Sequence, residues 1–312
     1  MIESFLLDID PIEVSDNFQE KYLIFHIEGG LGKHIAATAL LKDLSVKYNE
    51  RKIILVVGYP EIFLNNPYIY RVYTHGTTPY FYQDYIEGKD TIIFRHEPYF
   101  ESSHVYKKKH LIENWCHLLD INYNHQTPEI QVNYVQRKNT LMWGRDKPVM
   151  VIQTNGGPLS TTNSYSWTRD MPYELAVSLS EIYSKDYHII QVCHPNSLKI
   201  PNVEVVDYVL SNFQLSALIV NSSKRILIDS SLQHIAAAFN LPSIVLWIGT
   251  SPQVFGYNLH SNLLSRNPTN KPKLIDSYLF DYSFEGKQHE CPYTNVEEMF
   301  HIENIIEAIN KI

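Results

Sequence analysis

The chain has 312 residues, a formal net charge of −8, 44% hydrophobic residues and 19% charged residues. Its length exceeds the usual size of one compact domain, so we expect two domains with sizeable cores. The acidic balance disfavours non-specific binding to nucleic acid or anionic lipid, because such binding needs many Lys and Arg contacts to phosphate. No apolar run approaches the ~18 to 20 residues of a membrane-spanning helix.

The N-terminus and the cysteines indicate the compartment. Residues 1–8 contain acids where a signal peptide has a basic segment. Cys116, Cys193 and Cys291 are widely spaced and form no Cys-x-x-Cys pair, so neither a disulfide framework nor a zinc site is expected. The sequence therefore predicts a soluble, cytoplasmic protein with reduced cysteines and no membrane span.

The first part of the chain alternates strand-like and helix-like patterns. Strands are predicted at 22–27, 52–57, 71–74 and 91–94, and helices at 35–48 and 111–119. This alternation indicates βαβ units around a parallel sheet. Residues 1–145 are therefore expected to form one Rossmann-like α/β domain.

A second series of the same kind begins after Pro148. Strands are predicted at 149–154, 188–193, 225–229 and 243–248, and helices at 173–185, 214–221 and 235–240. Residues 258–289 are expected to be long loops. We thus predict a second Rossmann-like domain at 146–295, facing the first across a cleft, and a terminal segment at 296–312 whose helix, 296–309, packs back on the first domain.

The end of the strand predicted at 225–229 is the most informative stretch. It stops at Asp229 and turns through Ser230, Ser231 and Leu232 into a helix that contains His234. Such a turn presents free backbone N–H groups to an anion. The next strand ends in Gly-Thr-Ser-Pro at 249–252, so two strand ends open into one crevice. This predicts a nucleotide-diphosphate site, in which His234 contacts a phosphate or, alternatively, caps and packs the helix.

A glycine-rich loop, Glu-Gly-Gly-Leu-Gly-Lys-His at 28–34, follows the first predicted strand. Gly29, Gly30 and Gly32 leave the backbone open to a ligand, and the amides after them can bind negative charge. The spacing differs from Gly-x-Gly-x-x-Gly, and no Lys-Ser/Thr pair of a Walker motif follows. The loop is predicted to bind a ligand; a tight turn without one is the alternative.

A third group of candidates follows the strand predicted at 149–154. Asn155 and Gly156 begin a long loop that contains Trp167, expected to anchor the loop by packing, and Arg169, whose guanidinium suits a pyrophosphate. Base and ribose are expected near His194 and Asn196. A nominal Asp-x-Asp at 8–10 precedes the first strand without other support, so no metal site is predicted.

These pieces together resemble the inverting heptosyltransferases of glycosyltransferase family nine. The family pattern Asp-Thr-Gly-Leu-x-His, Ala-Ala-Ala, a Pro-led strand and Gly-x-Thr-x-Pro is matched here by Asp-Ser-Ser-Leu-Gln-His at 229–234, Ala-Ala-Ala at 236–238, Leu-Pro at 241–242 and Gly-Thr-Ser-Pro at 249–252. The resemblance is specific over 214–257 and looser over 22–48 and 149–175. It implies the GT-B fold, an α/β architecture of two Rossmann-like domains.

Two departures from the family affect the site. Its opening loop usually ends Gly-Asp, and that Asp is the base, whereas the matching position here is Lys33. Where the family often has Lys-x-Trp, this chain has Tyr-Ser-Trp at 165–167, which leaves Arg169 as the replacement cation. The Gly-Gly-Leu-Gly spelling is also similar to that of some fucosyltransferases, so the donor sugar does not follow from the family.

The resemblance implies transfer of a sugar from a nucleotide diphosphate to a glycan or another hydroxyl acceptor, without a cofactor and without an obligatory metal. The amides of 230–232, His234 and Arg169 would stabilise the leaving diphosphate. A base must then face the anomeric carbon from the first domain. His34 is the first candidate because it titrates nearest neutral pH, followed by Glu28 and by the less favoured His26. Lys33 is expected to contact a phosphate or an acceptor anion.

Three other functions remain open at this stage. A sugar-nucleotide epimerase would need clustered carboxylates, and the sequence shows no clear cluster. An inactive relic that binds a nucleotide sugar or a glycan is compatible with Lys33 in place of the family Asp. A transferase acting on a hydroxylated nucleic-acid base has only the basic run 107–109 in its favour, and this run is more simply a solvated loop or helix end.

Overall fold

The computed structural model describes residues 20–106, 108–131, 146–156, 168–266, 293, 295 and 298–312. The sequence-based statements on Asp8, Asp10, Lys107, Trp167 and Cys291 lie outside these residues. Cys116 and Cys193 are buried free thiols, as the sequence predicts. Among the described helices, none combines the length and the hydrophobicity that crossing a membrane requires.

The first half forms a four-stranded parallel sheet in the order β3-β2-β1-β4. Its strands are β1 Lys21–Ile27, β2 Lys52–Val57, β3 Arg71–Thr74 and β4 Asp90–Phe94. The central strands β1 and β2 are nearly continuous apolar runs, as expected of parallel strands covered on both faces. Because β1 lies between β2 and β4, the connections leave it in opposite directions and open a crevice at its carboxyl end.

Five α-helices accompany this sheet within residues 20–106 and 108–131. They are α1 Leu31–Ala37, α2 Leu41–Lys47, α3 Phe81–Tyr85, α4 Ser102–Val105 and α5 Leu111–Leu118, with 3₁₀ turns at Thr38–Leu40, Pro60–Phe63 and Pro98–Phe100. The helix predicted at 35–48 is thus interrupted. The Thr38 hydroxyl donates to the Ile35 carbonyl at 2.6 Å and accepts the backbone N–H of Glu129 at 2.9 Å, so it competes with the regular helical pattern at this point.

The second half forms a six-stranded parallel sheet in the order β10-β9-β8-β5-β6-β7. Its strands are β5 Val149–Gln153, β6 His188–Val192, β7 Glu204–Val206, β8 Lys224–Ile228, β9 Ile244–Trp247 and β10 Ser261–Leu264. Its helices are α6 Tyr173–Tyr183, α7 Asn212–Asn221, α8 Ser231–Ala238, α9 Pro252–Phe255 and α10 Ile302–Lys311. The loop prediction for 258–289 was wrong over β10, a partly exposed edge strand with a weak apolar pattern.

The two halves meet along α1 and α8. Ile35 and Ala36 of α1 and Leu232 and Ala236 of α8 belong to one buried apolar cluster. The glycine-rich loop before α1 therefore lies beside the turn before α8. Each turn follows a strand of its own sheet, so the two sequence motifs come together at one point between the domains.

The terminal helix differs from its prediction in both extent and place. It begins at Ile302 instead of 296, and Ile305, Ala308 and Ile309 join the buried core of the second sheet. The Lys224 ammonium also donates to the Ile309 carbonyl at 3.0 Å. The apolar residues of this terminal helix recur every three or four positions and pack on the second sheet. The expected packing of the helix on the first domain was therefore wrong.

Candidate active site

A cavity of about 670 Å³ lies where the two domains meet. Its volume is in the range of small-molecule sites. The first domain contributes Gly30, Leu31, Gly32, Lys33, Tyr59 and Tyr99. The second domain contributes Gln153, Asn155, Gly156, Arg169, Val192, Cys193, His194, Val206, Tyr208, Val209, Leu210, Leu215, Asp229, Ser230, Ser231, Leu232, His234 and Phe255. Most of the predicted donor-binding residues are therefore brought together.

The start of α8 forms part of the second-domain wall. β8 ends before Asp229, and Ser230 is the extended residue that precedes the helix, with no side-chain hydrogen bond capping it. Gly156 approaches this turn so closely that a Cβ there would lie 3.3 Å from Ile228 and 3.6 Å from the Ser230 side chain. The backbone N–H groups of the first helical turn thus adjoin the cavity, in the arrangement that binds anions.

Asp229 and Arg169 line this wall, and Asp170 lies behind two of its lining residues. Burial raises the pKa of Asp229, opposed by the charge of Arg169. Burial also raises the pKa of Asp170, whose oxygens accept from the Asn155 side-chain amide at 2.7 Å and from the Gly156 N–H at 3.1 Å. Asn155 and Gly156 are consequently held in place by Asp170, while Arg169 presents its charge to the cavity.

An apolar recess adjoins these polar groups. Val206 and Leu210 are buried and Leu215 is half-buried, and all three line the cavity. His194 also lines the cavity, with its backbone N–H near the Asn155 side-chain oxygen at 3.4 Å. Asn196 is exposed and does not line it, so the structure does not place Asn196 at the predicted base and ribose site.

His234 is buried and turned toward the first domain. Its Nδ1 lies 2.7 Å from the Tyr257 hydroxyl, and its Nε2 lies 3.1 Å from the Gln233 amide nitrogen. Burial lowers the pKa of His234 to about 3, so the ring is neutral. With both nitrogens engaged inside the protein, the structure assigns His234 to packing rather than to the phosphate contact that was the other sequence-based alternative.

Gly32 makes the contact between α1 and α8 possible. A Cβ on Gly32 would lie 2.7 Å from Cδ2 of His234, closer than real contacts allow. Gly29 has a φ of +100°, a backbone conformation that residues with a side chain rarely adopt. A Cβ at this position would also lie 3.1 Å from the Lys33 side chain. Two glycines of this loop therefore have structural roles. Gly32 allows α1 and α8 to approach each other closely, and Gly29 allows the positive-φ backbone conformation beside the Lys33 side chain.

His34 does not face the cavity. Its Nδ1 donates to the Gly30 carbonyl at 2.9 Å and its Nε2 accepts the Gly58 N–H at 3.0 Å. Burial lowers the pKa of His34, partly offset by hydrogen bonds to the backbone of Gly30 and Ile27. Because both nitrogens are occupied, no position remains from which His34 could take a proton from an acceptor. The geometry therefore contradicts the first candidate for the base.

Glu28 follows β1 and pairs with Arg95, a residue that does not line the cavity. Arg95 donates to its Oε1 at 3.1 Å and 2.8 Å, and this pairing lowers the pKa of the Glu28 carboxyl. Glu28 does not line the cavity, and neither does His26, whose ring stacks on His75 at 6.2 Å. Neither remaining base candidate lines the cavity, and the pairs described for them, with Arg95 and His75, do not connect them to a residue that lines it.

We expect His34→Ala to reduce stability rather than chemistry. The change leaves the Gly30 carbonyl and the Gly58 N–H unpaired and opens a void, which together cost about 2 to 4 kcal/mol. Urea unfolding measures this loss, and His117→Ala, which changes an exposed histidine on α5, serves as the control and should stay within about 0.5 kcal/mol. Unchanged stability together with a hundredfold loss of turnover would restore His34 as the base.

The aromatic groups of the first-domain wall and the carboxylate behind it were not predicted from the sequence. Tyr99 and its neighbour Glu97 follow β4, and Tyr59 follows β2. All three lie just beyond the carboxyl ends of strands adjacent to β1. That position, together with Pro98 directly after Glu97, could have indicated them, since ligand-binding residues of open α/β sheets lie there.

Solved structures share this architecture although the chain matches no protein-family model and no curated protein in sequence. A family 9 glycosyltransferase from Veillonella parvula DSM 2008 aligns with 12% identity and a TM-score of 0.63, covering 94% of this chain and 96% of its own. ADP-heptose lipopolysaccharide heptosyltransferase II of E. coli aligns with 13% identity and a TM-score of 0.61 over 93% and 99%.

A third similar structure is the iron-containing dodecameric glycosyltransferase TibC from enterotoxigenic E. coli H10407. It aligns with 15% identity and a TM-score of 0.65 over 94% of this chain and 76% of TibC. At these identities the similarity concerns the fold, and it confirms the resemblance and the architecture expected from the sequence. The chain has the two-domain GT-B fold of these three structures.

Proposed function

We propose that this protein is a glycosyltransferase that moves a sugar from a nucleotide-diphosphate donor to an acceptor hydroxyl. The observation that carries the proposal is the cavity at the carboxyl ends of the central strands of both sheets. Arg169 and the start of α8 lie on one wall and the glycine-rich loop on the other. Ligands of open α/β sheets bind at such switch points.

On the donor side, the diphosphate would lie against Arg169 and the amides of Ser231 and Leu232. Preorganised N–H groups and a guanidinium stabilise the negative charge that grows on the diphosphate as the glycosidic bond breaks. The recess formed by Val206 and Leu210 suits the flat apolar faces of a nucleobase. His194 lies between these regions, where the ribose would sit.

On the acceptor side, the first-domain wall is aromatic. Tyr59 and Tyr99 line the cavity opposite the donor wall. Their rings offer apolar faces and their hydroxyls offer hydrogen bonds, a combination that suits a glycan hydroxyl acceptor. The solved structures reported above are described as glycosyltransferases and heptosyltransferases, and they give no support to a nucleic-acid acceptor.

We further propose that transfer needs no metal, because Arg169 and the helix start already supply positive charge where a divalent ion would otherwise act. One similar structure is described as iron-containing, so this point requires its own test. Transfer measured after dialysis against EDTA should keep its rate. A loss that manganese, magnesium or iron restores would show that the positive charge comes from a metal.

The donor site predicts a specific response to nucleotides. At 100 times its dissociation constant, a bound nucleoside diphosphate stabilises the native state by about 2.7 kcal/mol, visible as a rise in melting temperature. We expect this rise with at least one of ADP, UDP and GDP. Arg169→Ala should weaken the binding about 10- to 100-fold, the usual effect of one charge-assisted hydrogen bond.

The matched control is Arg266→Ala, which removes a guanidinium from an exposed residue after β10. It should leave the affinity unchanged. If none of the three nucleotides binds, the donor site is refuted. If a nucleotide binds but no sugar nucleotide is turned over, with water or with glycan acceptors, the protein is a nucleotide-sugar-binding relic instead of an enzyme.

A further inference from the structure

Lys33 and Glu97 form an ion pair at the first-domain wall of the cavity. The Lys33 ammonium contacts both carboxylate oxygens of Glu97, at 2.6 and 2.5 Å. Glu97 also accepts the backbone N–H of Tyr99 at 3.1 Å. Glu97 is not itself a lining residue, but Lys33 and Tyr99 both line the cavity, so its carboxylate lies directly behind that wall and is hydrogen-bonded to two of its residues.

A carboxylate and two aromatic rings surround the Lys33 ammonium. The ammonium lies 4.6 Å from the centre of the Tyr99 ring and 5.7 Å from that of Trp115, positions in which an aromatic face favours a cation. Burial lowers the pKa of Lys33 below its usual value, and the hydrogen bond and the charge of Glu97 oppose this only in part. The Lys33 nitrogen donates to both Glu97 oxygens, and a nitrogen engaged in this way is unsuited to accept a proton from an acceptor hydroxyl.

The pair is oriented with the carboxylate outward. The Lys33 side chain is 4% exposed, whereas the Glu97 side chain is 30% exposed. Lys33 follows β1 and Glu97 follows the neighbouring strand β4, so both lie at the carboxyl edge of the first sheet. Glu28, the nearest sequence candidate, points instead to Arg95.

We propose that Glu97 is the general base of the transfer reaction and that Lys33 is its positioning residue. This inference rests on the proposed glycosyltransferase function. It identifies a general base for a chain in which Lys33 occupies the position of the Asp that is the base in family nine. The chain would then have kept a carboxylate at the acceptor side of the cavity, supplied from the segment after β4.

The transfer forms one bond to the anomeric carbon and breaks another. Glu97 takes the proton of the acceptor hydroxyl, the acceptor oxygen forms a bond to the anomeric carbon, and the bond from that carbon to the diphosphate oxygen breaks with its electron pair. The protonated Glu97 no longer neutralises Lys33. A positive charge is thus released at the cavity wall in the same step in which the leaving diphosphate gains negative charge.

The decisive variant is Glu97→Gln, which keeps the shape and a hydrogen-bond acceptor for Lys33. UDP-, ADP- and GDP-linked sugars are offered with water and with methyl glycosides as acceptors. For whichever pair the wild type turns over, kcat should fall about 10²- to 10⁴-fold. The dissociation constant of the matching nucleoside diphosphate should change by less than about threefold, because the donor wall is untouched.

The control is Glu101→Gln, which removes a carboxylate from the same segment four residues later. It should keep full activity. Lys33→Met gives a second readout. Without the ammonium the carboxylate ionises less readily, so the acid limb of the pH–rate profile should move to higher pH, and Lys33→Arg should move it back. In Glu97→Gln the acid limb should disappear.

The outcomes separate this inference from the proposed function. Full activity of Glu97→Gln, beside an active wild type, refutes Glu97 as the base and leaves the transferase intact. An equal loss of nucleotide affinity and turnover refutes it as well, because Glu97 would then be structural. A wild type that binds nucleotide but turns over none of the sugar nucleotides refutes the transferase, and the base assignment with it.

Discussion

Lowering the pH from 7.5 to 5 is expected to reduce the free energy of unfolding by about 4 to 8 kcal/mol. The cause is a group of buried neutral histidines where the domains meet, close to Tyr257 and Phe255. Burial lowers their pKa values to about 4 for His104, His110 and His260, and to about 3 for His234.

The direction of the effect follows from the two states of the chain. An unfolded histidine has a pKa near 6.5, so below this pH the unfolded chain takes up protons that the native protein does not. The contribution of these histidines to the free energy of unfolding is therefore fully present above pH 6.5 and is lost as the pH falls toward 4. Below pH 6.5, each histidine lowers the free energy of unfolding by about 1.4 kcal/mol per pH unit, which amounts to about 2 kcal/mol at pH 5.

Two carboxylates act in the opposite sense. Burial raises the pKa values of Asp170 and Asp229, so the native state binds their protons first and gains stability as the pH falls through those raised values. Four histidines still outweigh two carboxylates. A loss of 4 to 8 kcal/mol is large against the ~5 to 15 kcal/mol of a typical domain, so extensive unfolding is expected at pH 5.

Urea unfolding at pH 8, 7, 6 and 5 measures this effect. In His260→Gln the amide can keep the hydrogen bond from the ring Nε2 to the Gln233 carbonyl, 3.0 Å in the wild type, but cannot titrate. The slope of the unfolding free energy against pH should therefore fall by about 1.4 kcal/mol per pH unit, the amount that corresponds to one proton. His117→Gln, on the exposed side of α5, should leave the slope unchanged. A wild type equally stable at pH 8 and 5 would show that these histidines are not buried as described.

Much of this architecture followed from the sequence because the central parallel strands are nearly continuous apolar runs. β2 and β3 have the predicted limits, and β1, β5 and β8 differ from their predictions by a residue at one end or both. The rule that parallel strands open their carboxyl ends to ligands then placed the glycine-rich loop, Asn155 and the Asp229 turn in one cleft. These features depend on local pattern and chain order alone.

The errors in the candidate site concern side-chain direction. The sequence shows that His34 and His234 lie on the first helical turns after two strands, but not that one turns to the Gly58 N–H and the other to Tyr257. Glu97 was missed for another reason. It lies 64 residues from Lys33 in the chain, and only the pairing of β4 with β1 brings the two together. A single sequence does not show which strand becomes the neighbour of β1.

Gly32→Val is expected to cost about 3 kcal/mol of stability and to lower the melting temperature by about 6 to 12 °C. The Cβ alone would lie 2.7 Å from Cδ2 and 3.2 Å from Nε2 of His234, and 3.5 Å from the Ser231 backbone. His234 cannot turn away, because Tyr257 and Gln233 hold its two nitrogens at 2.7 and 3.1 Å. The added methyl groups must therefore separate α1 from α8.

This separation has a second consequence at the donor site. Ser231 is the first residue of α8, so a shift of the helix moves the amides proposed to hold the diphosphate, and nucleotide affinity should fall together with stability. Gly30→Ser is the matched control for stability alone, since Gly30 lines the cavity; a Cβ there meets no heavy atom within 4 Å and serine is favoured at the residue that precedes a helix. Thermal melts of both variants, with and without the nucleotide that binds the wild type, measure the two effects. If Gly32→Val melts within 2 °C of Gly30→Ser, α1 and α8 are not in the tight contact that joins the two domains.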